Sequence, residues 1–417
     1  MFLLFLLYGV FLAYLSLTVL YLAVFAVAGR LGRADDSAVA GPVTTYRRIG
    51  VLIPAYKEDA VLVESVLTNL RQDYPTDRYE LIVIADSLAP HTLARLAELP
   101  IRIIEVSFAV STVSKAINAA LAQLPDDAYD IIVVADADNH LATDFLSRIN
   151  GAFERGWRAV QGHRVAKNTN TSVAVLDAVS EEINNHIFRR GSRALGLSSL
   201  IIGSGMGIDL RLMNETMADG RTMGGYDKEL EMNIVLRGHV VGYLADAYVY
   251  DEKVANRAVF ENQRTRWIAA QWQFLRHYFR AGMAELAAGR LPGAFSLMRA
   301  LILPKVLLLG LLATCAGLGL LSANPLVWGV PLALLGVLGA SLLLSVPHYL
   351  WKRVTVRELL LIPVLMLSFA KAVLNMRRAF TRFMHTPHSA PADPHTAQLG
   401  PDSPAQEPAT DVVAVAR

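Results

Sequence analysis

Hydrophobic positions follow three different patterns along the chain. From Met1 to Gly29 no residue is charged, and at 1.5 Å of rise per helical residue such a run exceeds the roughly 20 residues needed to cross a bilayer. A transmembrane helix is predicted over residues 2–28, within a unit spanning 1–29. The rival, a signal peptide cleaved after Ala26, Val27 and Ala28, lacks a charged start, and the run is about twice too long for one. From 48 to 255 the apolar runs are short and regularly interrupted. Strands are predicted at Ile49 to Ile53, stopped by Pro54, at Leu81 to Ala85 ending in Asp86, at Ile101 to Val106, and at Ile131 to Val134. Helical spacing links Val61, Val66 and Leu70, and a helix from Val113 to Leu124 carries Lys115 and Asn118. Strands alternating with helices predict an α/β, doubly wound, mostly parallel sheet whose binding crevice lies beyond the strand C-termini.

The third pattern is a second apolar block, Leu297 to Leu350, in which Lys305 is the only charge after Arg299. A turn at Ser322 to Pro325 divides it into predicted spans at about 299–321 and 326–347, within a hairpin unit of 296–350. A further stretch, Leu359 to Val373, contains Pro363 and Lys371 and has basic residues on both sides, including Lys352, Arg353, Arg357, Arg377, Arg378 and Arg382. These favour an interfacial or re-entrant helix over a crossing one. The tail 389–417 is rich in Pro, Ala and Asp without periodicity and is predicted to be disordered. Arg30, Arg33, Arg47 and Arg48 follow the first span, which places the next domain, 45–255, in the cytoplasm and the chain in the inner (plasma) membrane as a multi-pass protein.

Composition agrees with a membrane protein: 18% of residues are charged, against about 25% in soluble domains. A net charge of +2 favours no particular partner and gives no reason to expect nucleic acid. The single cysteine, Cys315, rules out a disulfide framework and a cysteine zinc site.

Candidate chemistry concentrates at strand ends. Asp136 and Asp138 follow the 131–134 strand; on an extended chain they would share a side and could act on one diphosphate-bound cation. The alternative is a pair of solvated acids and a helix cap. Glu58 and Asp86 fall at two more strand ends. No phosphate-binding Gly-x-x-x-x-Gly-Lys loop occurs, and Gly203, Gly205 and Gly207 do not fit the dinucleotide fingerprint. Diphosphate charge would then be met by a cation and basic side chains. Asp227, two residues past a glycine pair, is presented as a general base or as an ordinary helix cap; Glu229 and Glu231 are its rivals. Phe260, Trp267, Phe274 and Tyr278 mark one face of an amphipathic helix at the membrane surface, flanked by Arg264, Arg276 and Arg280, within an interfacial unit of 256–295. An interfacial anchor alone would account for Trp267. Glu181, Glu182 and His186 read as a solvated helix face rather than a second metal site.

Pro54-x-Tyr56-x-Glu58, Asp86, Lys115 with Asn118, Asp136-x-Asp138, Gln161-Gly162, Gly203-Ser204-Gly205, Asp227 before Leu236-Arg237-Gly238, and Gln263-x-x-Arg266-Trp267 together resemble the membrane-bound family 2 glycosyltransferases, which include cellulose, chitin and hyaluronan synthases. The resemblance covers about residues 45–290. It implies a GT-A (Rossmann-like) nucleotide-sugar domain with transmembrane and interfacial helices, and inverting, metal-dependent hexosyl transfer from a UDP-sugar. Asp138 would hold Mg or Mn with Asp136 near the ribose and diphosphate. Tyr56, Glu58 and Asp86 would contact the nucleoside, with Lys115, Gln263, Arg266 and Trp267 also in the donor site and Asp227 as base. In that resemblance the Trp stacks on the acceptor sugar and the Arg meets diphosphate. Where many relatives carry Thr-Glu-Asp, this chain has Tyr226 before Asp227. Phe383 to His388, within a 351–388 unit, resembles a segment that closes over the nucleotide. The motif set implies a processive polysaccharide synthase acting on a glycan or lipid-linked acceptor, but few spans follow the domain, so a homo-oligomer or a secretion partner would be needed. The alternatives are a non-processive transferase, a nucleotide-sugar-binding subunit of a polysaccharide secretion complex, and, more remotely, a transporter.

Overall fold

A computed structural model describes residues 2–32, 45–218 and 225–376. The expected tail 389–417, the Phe383 to His388 segment and Gly224 lie outside these residues. Helix α1 (Phe2–Leu31) precedes β1 (Ile49–Tyr56), α2 (Leu62–Asn69), β2 (Tyr79–Asp86), α3 (Pro90–Ala97), β3 (Arg102–Val106), α4 (Val113–Leu121), β4 (Ile131–Val134) and β5 (His140–Leu141). There follow α5 (Phe145–Glu154), β6 (Ala159–Ala166), α6 (Ser172–Asn184), a π-helical turn Asn185–Gly191, α7 (Ser192–Ala194), β7 (Met206–Asp209), α8 (Leu210–Met217), α9 (Tyr226–Leu236) and β8 (Gly242–Asp251). The C-terminal part is helical: α10 (Arg257–Ala287), α11 (Leu291–Leu301), α12 (Lys305–Gly319), α13 (Pro325–Ser345), α14 (His348–Trp351) and α15 (Val356–Asn375).

The eight strands form one sheet in the order β3-β2-β1-β4-β7-β6-β8-β5. Strands β1 to β4 are parallel, as the alternation of strands and helices requires, whereas β7 runs antiparallel between β4 and β6, and β5 antiparallel on β8. Side chains alternate faces with period two. Ile49, Val51, Ile131 and Val133 pack under α2, α3 and α5, while Leu52, Ile132 and Val134 pack under α4, α8 and α9.

Pro54 does not end its strand: β1 continues through it to Tyr56. Pairing with β4 stops at Leu52 while pairing with β2 continues to Tyr56 opposite Asp86. A missing N–H is tolerated where one flank has no partner strand. Lys57 and Ser87, directly after the two strand ends, adopt left-handed φ of 56° and 58°, so both strands turn away sharply just past Tyr56 and Asp86.

Among the described residues three helices are long and apolar enough to cross a membrane: Leu6–Leu31, Pro325–Ser345 and Val356–Asn375. The span expected at 299–321 is not one helix. It is α11 and α12, bent by 61° where they meet, because Pro304 cannot donate to the preceding turn and disfavours helix at the residue before it. Helix α15 runs through Pro363, and both of its ends are tied to the sheet-bearing part of the chain or to α10. Ser172 donates to Glu358 at 2.6 Å, Arg257 to Ser368 at 3.1 Å, and Lys371 lies 2.8 Å from Glu261.

The expected membrane face of α10 is also revised. Phe260, Phe274 and Tyr278 are buried in the protein, as is Arg264, which forms an ion pair with Asp177 and lies 3.9 Å from the Trp267 ring centroid. The exposed apolar face is instead Trp272, Phe279, Met283 and Leu286, at spacings of seven, four and three that keep one side of a helix.

Candidate active site

A cavity of about 520 Å³ lies beyond the strand C-termini and is lined by Tyr56, Glu58, Asp86, Asp136, Asp138, Asp227, Gln263, Arg266 and Trp267. These arrive from five parts of the chain, and the fold gathers them as expected for an open α/β crevice. Lys115 is not among them. Its ammonium bonds the Val110 carbonyl at 2.8 Å on the exposed side of α4, because helical spacing turns it away from the lining residues Ser114 and Ala116. Asn118 bonds the Met217 carbonyl, and Gln161 is buried beneath the glycine loop, donating to the carbonyls of Ser204 and Gly205. Both are scaffolding for the cavity wall.

Asp136 and Asp138 lie on a turn rather than on extended chain, since the N–H of Asn139 donates to the Asp136 carbonyl at 3.0 Å. The turn adds a third acid. Carboxylate oxygens of Asp136, Asp138 and Asp251 all lie within 4.8 Å of one another. Asn139 ties the group together, donating to Asp138 at 3.3 Å and to Asp251 at 3.2 Å, while the Glu252 N–H donates to Asp138 at 3.1 Å. Three hard oxygen donors on fixed backbone suit Mg or Mn. Asp251 ends β8, 113 residues beyond Asp138, and no local motif announces it; the one signal was its place as another acid at a strand end.

Basic residues surround this group. Arg164 lies 3.0 Å from Glu181 and 3.7 Å from Asp251, and Lys253 lies 2.7 Å from Asp251. Glu181 also meets Arg189 at 3.2 Å; burial would raise its pKa, but Arg164, Lys253 and Arg189 hold it far below the carboxylate range. Glu182 meets His163 at 3.0 Å. The pair expected on a solvated face is therefore buried and ion-paired, its cations supplied by β6, the segment just after β8, and the π-turn. Arg266 faces Asp136 and Glu58 across the cavity.

Asp227 sits in the first turn of α9. The preceding Gly225 has φ 73°, and a Cβ there would lie 2.9 Å from that of Ala270, so glycine is required for α9 to start against α10. Asp227 borders the cavity and is half-buried; burial raises its pKa, with Lys228 and Arg164 opposing. Tyr226 donates its hydroxyl to the Gly203 carbonyl, which braces the glycine loop against α9. Glu231 is fully engaged: it accepts from Ser296 at 2.6 Å and pairs with Arg299, which also donates to the Ser198 carbonyl at 2.8 Å. Glu229 does not line the cavity. Breaking the Glu231 pair leaves a buried charge, so Arg299→Met is expected to destabilise the protein by about 3–5 kcal/mol. A thermal melt in detergent should also show that adding Glu231→Leu recovers most of that loss.

Residues 47–270 match the model described as glycosyltransferase like family 2, and the chain belongs to that family. Similar proteins include the β-monoglucosyldiacylglycerol synthases of Synechocystis sp., 26% identical over 255 residues, and of Trichormus variabilis, 25% identical over 245 residues. The alignments cover 56% and 55% of this chain and 50% of each relative, so the chain spans about half the length of the curated relatives it matches. Among solved structures, the mannosyltransferase PcManGT from Pyrobaculum calidifontis, in complex with GDP-Man and Mn2+, superposes with a TM-score of 0.50 at 17% identity over 81% of this chain and 96% of that one. The fold is GT-A.

Proposed function

We propose that this chain is a membrane-anchored, inverting glycosyltransferase that moves a hexose from a UDP-sugar to the hydroxyl of a lipid acceptor. The observation that carries this reading is the single cavity joining the Asp136, Asp138 and Asp251 carboxylates to Asp227, Arg266 and Trp267. The three acids would hold Mg or Mn, which supplies neutralising charge to a diphosphate. Asp227 takes the proton of the acceptor hydroxyl as its oxygen bonds the anomeric carbon, and the bond from that carbon to the diphosphate breaks on the opposite face. UDP leaves with the electron pair and the proton stays on Asp227, so one carboxylate base suffices and no opposed acid is needed. Arg266 meets the diphosphate and Trp267 offers an aromatic face to a sugar. Tyr56, Glu58 and Asp86 form the nucleoside end.

The relatives named for adding one glucose to diacylglycerol support a lipid acceptor and a non-processive reaction. A processive synthase is the second reading, favoured by Gln263, Arg266 and Trp267 all lining the cavity. Helices α1 and α13 cross the membrane in this account. Helix α15, held to α6 and α10 at both ends, lies along the interface, and the catalytic domain faces the cytoplasm. The test is to incubate purified protein with Mn and a panel of UDP-sugars in micelles containing diacylglycerol, then analyse the lipid extract. The expected product is a single β-linked monohexosyl lipid. A polymer in the aqueous phase would favour the processive reading, and an α-linked product would contradict inversion.

A further inference from the structure

This inference deepens the function proposed above and rests on it. The cavity does not end at Asp227. It continues past Phe188 and Arg189 of the π-turn to Ile302, Leu303, Pro304, Lys305 and Val306, where α11 and α12 break. At 1.5 Å per residue, the 11 residues of α11 and the 15 of α12 extend about 16 and 22 Å, and neither alone spans a hydrocarbon core of about 30 Å. The break is supported from the catalytic half. Gln271 of α10 donates to the carbonyls of Ala300 at 2.7 Å and Ile302 at 3.2 Å. Non-helical backbone at membrane depth persists where it is covered by protein or lines a cavity, and here it lines the cavity that holds the candidate base.

Lys305 gives this arm a chemical character. It is half-buried within an apolar block, where an ionisable residue points to function. Its ammonium donates to Asn184 and lies 5.5 Å from the Phe188 ring centroid. Among the described residues no carboxylate lies within 4.0 Å of it. An ammonium has three donors, and this one borders the cavity. Beside it the lining has an apolar side, formed by Phe188, Ile302, Leu303 and Val306, and a polar side that includes Ser180, Asn184 and Arg189.

We infer that this arm is the acceptor subsite for a hydroxyl-bearing acyl lipid. The head oxygens are bound by Lys305 and Asn184, the hydroxyl points toward Asp227, and the apolar chains leave through the break between α11 and α12. An amphiphile, with a polar head and apolar chains, matches both the polar and the apolar parts of this lining.

The test compares two rates on the same detergent-purified, full-length protein with Mn and the active UDP-sugar: UDP release without lipid, which is hydrolysis, and labelled sugar carried into the organic phase by dioleoylglycerol. Leu303→Trp and Val306→Trp, each of which narrows the arm, should lower lipid transfer at least tenfold more than hydrolysis. Lys305→Met should raise the KM for the lipid at least fivefold more than the KM for the donor. Melting temperature and gel-filtration profile are recorded for every variant, and with two Trp sites and one near-isosteric change the result does not hang on a single fold. Equal losses of hydrolysis and transfer in folded variants, or transfer at the wild-type rate, would overturn the subsite. Wild-type transfer to soluble sugars but not to lipid would overturn it while leaving the transferase intact. Wild-type protein that neither hydrolyses nor transfers would instead overturn the function on which the subsite rests.

Discussion

Asp138→Asn is expected to abolish most of the dependence of UDP binding on Mn, weakening the Mn-supported affinity by roughly 100-fold. The change is isosteric, and because the Asn139 amide and the Glu252 N–H donate to different oxygens of this side chain, the variant keeps one of the two bonds; its melting temperature separates loss of charge from loss of fold. Asp138 is the most enclosed of the three acids, 2% exposed, which leaves it little to do in solvent. Asp251→Asn should act in the same direction but less strongly, by roughly tenfold. Lys253 at 2.7 Å already shares its charge, and burial is outweighed by Arg164 and Lys253, which keep Asp251 ionised below the usual range. Titrating UDP into each variant with and without Mn decides the matter. Unchanged affinity in Asp251→Asn would reduce the cluster to two acids, and wild-type affinity that ignores Mn would remove the metal from the account.

The second large effect is a pH dependence set by Asp227. A general base works only when ionised. Burial raises this carboxyl above its ordinary value, so activity should be full at neutral pH and fall as pH drops through a limb lying above the roughly 3.9 of a free aspartate. Lys228 is the first of the groups that oppose the rise. Lys228→Met should therefore move the acid limb of kcat/KM to still higher pH. Other charges facing the site, Arg164 and Glu231, are unchanged in that variant. A limb at or below the ordinary aspartate value, or one that Lys228→Met leaves in place, would take the base role from Asp227.

Much of this arrangement was legible in the chain itself. The strand pattern, the crevice beyond Asp86 and Asp136, and the first span follow from periodicity and length, which are local properties. What was not legible depended on contacts between distant segments. Asp251 joins Asp138 only because β8 returns beside β6 and β5. Glu181 and Glu182 looked solvated because their cations belong to distant segments, Arg164 and His163 to β6 and Lys253 to the chain just after β8. Pro54 could not be placed within a strand without knowing that β4 ends early on that flank. The break in the 299–321 segment did have a local signal, Pro304, which the continuous apolar run concealed. Lys115 matched a motif by order, but its helical phase carries it outward.

The central claim is that one cavity binds the donor and completes the transfer, with Asp227 serving only the second act. Donor binding and UDP release should be measured side by side, in detergent with Mn and a panel of UDP-sugars, for wild type and Asp227→Asn. The account predicts that wild type turns over one donor, and that the variant binds that donor with affinity within about threefold while its turnover falls by roughly 100-fold or more. Turnover near the wild-type rate in Asp227→Asn, or binding without release in the wild type for every donor with the lipid present, would contradict it.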